Sequence, residues 1–181
     1  MVMKYCNECG HAVDLTIPKG DNLPRHVCRY CGAIHYLNPK VVVGCIAEFG
    51  DRILLCRRSI APRHGLWTLP AGFMENGEST AQAAARETWE EAQASVERLV
   101  PFSLVSVPHI NQVHLFYRAR LLNLDFAPGL ETLETSLFSE ESLPWQTLAF
   151  RTVELCLRTY YADRRTGQFK FHDDVVRADG P

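Results

Sequence analysis

Two cysteine pairs, Cys6-x2-Cys9 and Cys28-x2-Cys31, constrain the first part of this chain more than any other feature constrains the rest. Eighteen residues separate the pairs, and each second cysteine is followed by a glycine, Gly10 or Gly32, so the two halves form a small internal repeat. Four thiolates at that spacing complete a tetrahedral structural site, and zinc is the ion such a set selects. Disulfides are the competing reading. An odd total of seven cysteines and an expected reducing compartment both disfavour them. Glycine after each pair lets the backbone turn tightly and aim amide groups at the thiolates. His11, His26 and His35 lie close by but read as bystanders, because four thiolates already fill the site. Cys45, Cys56 and Cys156 sit in apolar stretches and read as small buried hydrophobes.

Residues 1–37 are too few to bury an adequate apolar core, so they are expected to form a zinc ribbon stabilised largely by its metal. Asn38-Pro39 marks the boundary. The remainder of the 181 residues has the length of one ordinary domain, with the 46% apolar and 22% charged composition of a globular protein. A net charge of −2 argues against a general nucleic-acid binder. No stretch approaches the ~18 consecutive apolar residues of a membrane span, and residues 1–6 lack the apolar run of a signal peptide. The expectation is a cytoplasmic protein without a membrane or nucleic-acid partner.

Val41 to Phe49, the Gly50-Asp51 turn and Arg52 to Cys56 read as a hairpin. Leu66 to Leu69 reads as a short strand ended by Pro70. Ser79 and Gln82 form a capping-box pattern that opens a helix running to about Ala92, with Ala81, Ala84, Ala85, Thr88 and Ala92 on a small-residue face. Leu99 to Val107, Gln112 to Leu122 and Ser136 to Phe138 are further strand candidates. A second helix is expected from Trp145 to Arg165, striped by Ala149, Val153, Cys156, Leu157 and Tyr160 and stopped by Gly167. Gln168 to Phe171 reads as a last short strand before a frayed end. The pattern is that of an α/β sandwich with a mixed sheet and a helix on each face.

Glu87, Glu90 and Glu91 fall within one arc of about 100° on the first helix. Like charges at these spacings destabilise a helix unless a cation binds them, and oxygen ligands suit magnesium. Carboxylate-rich faces are more often solvated surface than site, but here a glycine loop precedes the cluster. Gly72, Glu78, Arg86, Glu87, Glu90 and Glu91 fall in register with G-x5-E-x7-R-E-U-x-E-E-x-G-U, where U is a bulky aliphatic residue. The segment resembles the Nudix box. Thr88, Gln93 and Ala94 depart from it at two aliphatic positions and the final glycine, which touches helix packing and the C-cap rather than metal ligands. The approach from Gly65 to Gly72 and the segment from Leu133 to Phe138 are also similar to the family.

The resemblance implies a Nudix-type α/β/α sandwich behind a small zinc ribbon, with a ribbon at 1–37, a hydrolase domain at 38–165 and a tail at 166–181. It implies that Glu87, Glu90 and Glu91 hold magnesium or manganese, helped by a backbone carbonyl of Ala71 or Gly72, while Cys6, Cys9, Cys28 and Cys31 hold zinc. The catalytic base comes from the box helix or from a loop glutamate, for which Glu134 is the candidate and Glu131 the fallback. Arg86 is expected to orient a carboxylate by a charge-assisted bond, and Glu78 to act near the helix N-terminus.

Resemblance also bears on the substrate. NADH pyrophosphatases with zinc ribbons carry Ser-Gln-Pro-Trp-Pro-Phe-Pro after the box, whereas this chain has Ser106-Val107-Pro108-His109-Ile110-Asn111-Gln112. Pro108 matches a proline frequent in ADP-ribose pyrophosphatases, and Arg57, with Arg58 beside it after the hairpin, is a candidate phosphate contact. Stretches including residues 38–45, 64–72, 126–129 and 170–172 look closer to zinc-ribbon Nudix enzymes that hydrolyse FAD and ADP-ribose with release of AMP. NADH pyrophosphatase is the alternative activity. A non-catalytic module that senses a nucleotide or binds nucleic acid is the alternative of another class. The ribbon is expected to pack on the main domain or to help build a homodimer interface.

Overall fold

A computed structural model describes residues 3–178, in which two compact units part between Asn38 and Pro39. The first unit is a three-stranded antiparallel sheet of β1 (Val13–Thr16), β2 (Arg25–Cys28) and β3 (Ile34–His35) in that order. The internal repeat is realised as two equivalent turns. Gly10 N donates to Cys6 O and Gly32 N to Cys28 O, both at 2.9 Å, with glycine φ values of +75° and +76° that side chains rarely adopt. The glycine amides therefore serve the turns rather than the sulfurs. The buried residues described in this unit are Cys6, His26, Cys28 and His35, without a single buried aliphatic or aromatic hydrocarbon side chain.

The second unit opens with β4 (Lys40–Phe49) and β5 (Arg52–Arg58), the expected hairpin. Short strands β6 (Trp67–Thr68) and β7 (Ala71–Phe73) precede α1 (Thr80–Ala92), then come β8 (Val96–Val107), β9 (Gln112–Leu121), β10 (Thr132–Phe138), α2 (Arg151–Thr166) and β11 (His172–Val175). The sheet runs β10-β5-β4-β9-β8-β11, with β6 on β5 and β7 on β4. It is mixed, because β4–β9 and β8–β11 are parallel and the other pairs antiparallel. Strand alternation then sorts the apolar residues onto two faces. Val43, Cys45, Ala47, Leu54, Cys56, Tyr117 and Ala119 pack with Ala83, Ala84 and Ala92 of α1. Ile46, Ile53, Leu55 and Phe116 pack with Val153, Cys156, Leu157 and Tyr160 of α2. The α/β/α sandwich is as expected, and Cys45, Cys56 and Cys156 are buried in it.

Three expectations shift. The second helix starts at Arg151, because Trp145–Thr147 forms only a 3-10 turn and Ala149 N is drawn to Trp67 O at 2.7 Å, which keeps residues 148–150 extended. The strand at Leu66 to Leu69 shrinks to two residues. The last strand falls at His172–Val175 rather than Gln168 to Phe171, so part of the expected tail belongs to the main sheet. Residues 168–171 are occupied otherwise: Phe169 lies against Phe102 and Tyr160, and Lys170 N bonds Asp163 Oδ2. Among the described residues no helix is long and apolar enough to cross a membrane.

Candidate active site

Helix α1 begins with the expected capping box, Ser79 Oγ accepting from Gln82 N and Gln82 Oε1 from Ser79 N. The two departures at the bulky-aliphatic positions of the box are accommodated. Thr88 is buried and donates its hydroxyl to Ala84 O at 2.7 Å, and Ala94 is buried against the α1-side core. Gln93 takes the left-handed conformation (φ 49°) that the family's glycine would take more easily.

Of the three box glutamates, Glu87 and Glu91 are buried and Glu90 is exposed. Glu91 Oε2 accepts a hydrogen bond from Ala71 N of β7 at 3.1 Å. Burial nevertheless pushes the Glu91 carboxyl up to about 8, with the neighbouring charges of Glu87 and Glu131 adding to it. Burial also raises Glu87, against the pull of Arg86. Arg86 is the hub of the group. It forks onto Glu78 at 2.7 and 3.0 Å, and reaches Glu87 Oε1 at 2.8 Å, Glu90 Oε2 at 2.9 Å and Phe73 O at 3.2 Å. Glu78 is lowered first by Arg86 and then by Glu75 N. Its role is thus to hold the arginine and the loop, not merely to favour the helix N-terminus.

Arg86, Glu87, Glu90 and Glu91 line a cavity of about 930 Å³ together with Ala71, Gly72, Arg58, Leu130 and Glu131. A Cβ on Gly72 would fall 2.3 Å from a Glu87 oxygen, so glycine is what lets this carboxylate lie against β7. Two buried carboxylates with raised proton affinity, a third at the rim and the carbonyl-bearing strand of Ala71 and Gly72 form an all-oxygen donor set that fits magnesium or manganese.

Three predicted site residues lie elsewhere. Glu134 sits on β10 opposite Arg57 of β5, and their charged ends approach to 3.5 Å on the surface. Arg57 also donates to Gly65 O, and neither residue lines the cavity. Pro108 opens an exposed 3-10 turn between β8 and β9 and is likewise outside it. Their places in the cavity are taken by Glu131, the fallback, and by Arg58. Alternation separates the two neighbouring arginines: Leu54 and Cys56 face α1, and two residues on, the same parity brings Arg58 rather than Arg57 to that face.

In the ribbon the four cysteine sulfurs lie within 4.8 Å of one another, with Cys6–Cys31 at 3.7 Å and Cys9–Cys28 at 3.5 Å. A tetrahedron of ~2.3 Å zinc–sulfur bonds has edges of about 3.8 Å, so the set fits zinc. The Cys28 thiol is lowered to about 6, most strongly by the Cys31 backbone amide. His35 is no bystander, since its Nε2 lies 3.2 Å from Cys6 Sγ.

Fold and site together define an α/β/α domain with a carboxylate-rich helix at a cavity, preceded by a four-cysteine ribbon. The NUDIX domain family matches residues 38–152 and the Nudix N-terminal zinc-ribbon family matches residues 4–37, so the chain belongs to the Nudix family. A NUDIX hydrolase from Nitrosomonas europaea, known as a crystal structure, is 52% identical and superimposes with a TM-score of 0.94 over 97% of this chain and all of that one. The NAD-capped RNA hydrolase of Chromobacterium violaceum is 31% identical over 75% of this chain and 51% of its own length. That of Pseudomonas aeruginosa is 29% identical over 91% and 57%. The chain thus spans about half the length of the curated relatives it matches. An ADP-ribose pyrophosphatase from Streptococcus suis, 22% identical with a TM-score of 0.60 over 77% of this chain and all of that one, shares the fold.

Proposed function

We propose that this chain is a divalent-metal-dependent diphosphatase that cleaves a nucleoside diphosphate linked to another moiety and releases AMP, with ADP-ribose or FAD as substrate. The observation that carries the reading is the buried pair Glu87 and Glu91 converging with Glu90 and Glu131 on one cavity. Magnesium or manganese would be held by Glu87, Glu90, Glu91 and a carbonyl of Ala71 or Gly72. A bound cation there neutralises diphosphate charge and acidifies water. Arg86 holds the Glu87 and Glu90 carboxylates in place through its hydrogen bonds to both. Arg58 supplies positive charge to the same cavity. Water forms a bond to one phosphorus as the bridging P–O bond breaks, and its proton passes to Glu131, a carboxylate that lines this cavity. Zinc in the ribbon is structural. The seven unpaired thiols are consistent with the cytoplasm.

A second reading, hydrolysis of NADH-type dinucleotides, is favoured by the names of the curated relatives, although residues 106–112 lack the NADH signature. The experiment that decides is kcat/KM for AMP release from ADP-ribose, FAD and NADH in parallel, with and without EDTA. Turnover that survives EDTA overturns the metal mechanism. A clear preference for NADH overturns the substrate assignment. Metal analysis should return one zinc per chain.

A further inference from the structure

The loop between β9 and β10 is bonded to the end of the helix that carries the carboxylates. Gly129 N donates to Glu91 O and Ala127 N to Ala92 O, both at 2.9 Å, and Gln93 Nε2 donates to Pro128 O at 3.3 Å. The Glu91 and Ala92 carbonyls belong to the last turn of α1, which its own ladder leaves without donors, whereas in the third bond the acceptor is the loop's Pro128. The contact is close. A Cβ on Gly129 would lie 1.7 Å from Glu90 O, so any other residue there must displace backbone, and the need is for space rather than for a positive φ. Two residues on, the loop is pinned from the other side, with Ser59 N donating to Glu131 O at 2.9 Å and Ser59 Oγ to Leu130 O at 3.3 Å.

We propose that Gly129 is a positioning residue, whose contact with the C-terminus of α1 sets the place of the Glu131 carboxylate in the cavity that Glu87 and Glu91 also line. The proposal rests on the diphosphatase reading with Glu131 as proton acceptor. Gln93, where the box pattern has glycine, adds a side-chain bond to the same clamp. Because the clamp is made of backbone, its geometry is independent of which diphosphate enters.

A double-mutant cycle tests it. Gly129→Ala is expected to lower kcat at least tenfold with KM changed less than threefold, and Glu131→Gln at least thirtyfold. If Gly129 acts through Glu131, the double variant falls within twofold of Glu131→Gln alone. Losses that multiply overturn the proposal, as does wild-type turnover in either single variant. Manganese affinity, read by electron paramagnetic resonance, should stay within threefold of wild type in Gly129→Ala. A collapse of that affinity means general damage to α1 and also overturns the proposal. Should Gly129→Ala fail to fold, Gln93→Ala replaces it: a two- to fivefold loss of kcat that vanishes in the Glu131→Gln background supports the clamp, and a loss that persists there overturns it. A wild-type protein inactive on every diphosphate refutes the functional reading and this proposal together; an active one with multiplying losses refutes only the clamp.

Discussion

On the proposed reading the two units use metal in opposite ways. In the ribbon the cysteine cluster stands where other domains have hydrocarbon, since its buried residues are two cysteines and two histidines and its large apolar side chains, such as Tyr5, Leu15, Ile17 and Tyr30, are exposed. In the Nudix unit two apolar layers flank the sheet, and the carboxylates sit on a helix already fixed by Ala83, Ala84, Thr88 and Ala92. One metal site completes a fold; the other is presented by a finished fold. The largest expected effect breaks that comparison if it fails. Cys28→Ser, or zinc removal by a chelator, should abolish amide-exchange protection in residues 5–37 while leaving β4 to β9 protected, because structural zinc contributes about 10–16 kcal/mol in small ribbons. Retained protection in the zinc-free ribbon would show that it has another source of stability.

The second unit should respond with the opposite sign. Glu91→Gln is expected to reduce AMP release at least a hundredfold, yet to leave the metal-free protein as stable as wild type or more so. The reason is the cost of ionising a buried carboxyl. Glu91 has a folded value of about 8 against 4.5 for the ordinary group, so its contribution is fully present below about pH 4.5 and is lost as pH rises through about 8. The metal-free Tm should therefore fall by roughly 5 °C between pH 5 and pH 8, and the slope should flatten in Glu91→Gln. Saturating magnesium should remove the fall, because the cation binds the ionised form. A smaller effect sharpens the same point. Gly72→Ala should weaken manganese binding about tenfold by displacing the Glu87 carboxylate, with a Tm shift below that of any ribbon cysteine variant.

What could be read from the sequence was whatever depends on short spacing. The cysteine pairs, the capping box at Ser79 and Gln82, the stop at Gly167 and the arc of Glu87, Glu90 and Glu91 are all fixed within a few residues, and each is found in the structure. What could not be read depends on partners far along the chain. Glu131 and Glu134 are three residues apart, and the pairing of β10 with β5 shifts between Thr132 and Glu134, so alternation could not say which carboxylate turns inward. The backbone contact that holds this part of the loop, Ser59 N to Glu131 O, spans 72 residues. The start of α2 was misplaced for the same reason, because Trp67 captures Ala149 from outside any local pattern.

The smallest expected effect concerns the residues that the cavity leaves out. Arg57 and Glu134 face each other at 3.5 Å with side chains 45% and 53% exposed, and exposed pairs of this kind contribute about 0–1 kcal/mol. Arg57→Ala and Glu134→Gln should each change kcat/KM less than twofold and Tm by about 1–2 °C at most. By contrast Arg58→Ala, one residue away on the opposite strand face, removes the positive charge that faces Glu91 and should raise KM for a diphosphate about tenfold. If Arg57 proved the more sensitive of the two, the cavity wall would have to include the outer face of β5. The finished-fold side of the comparison would then fail, because substrate would be shaping a surface that the apolar layers leave unsupported.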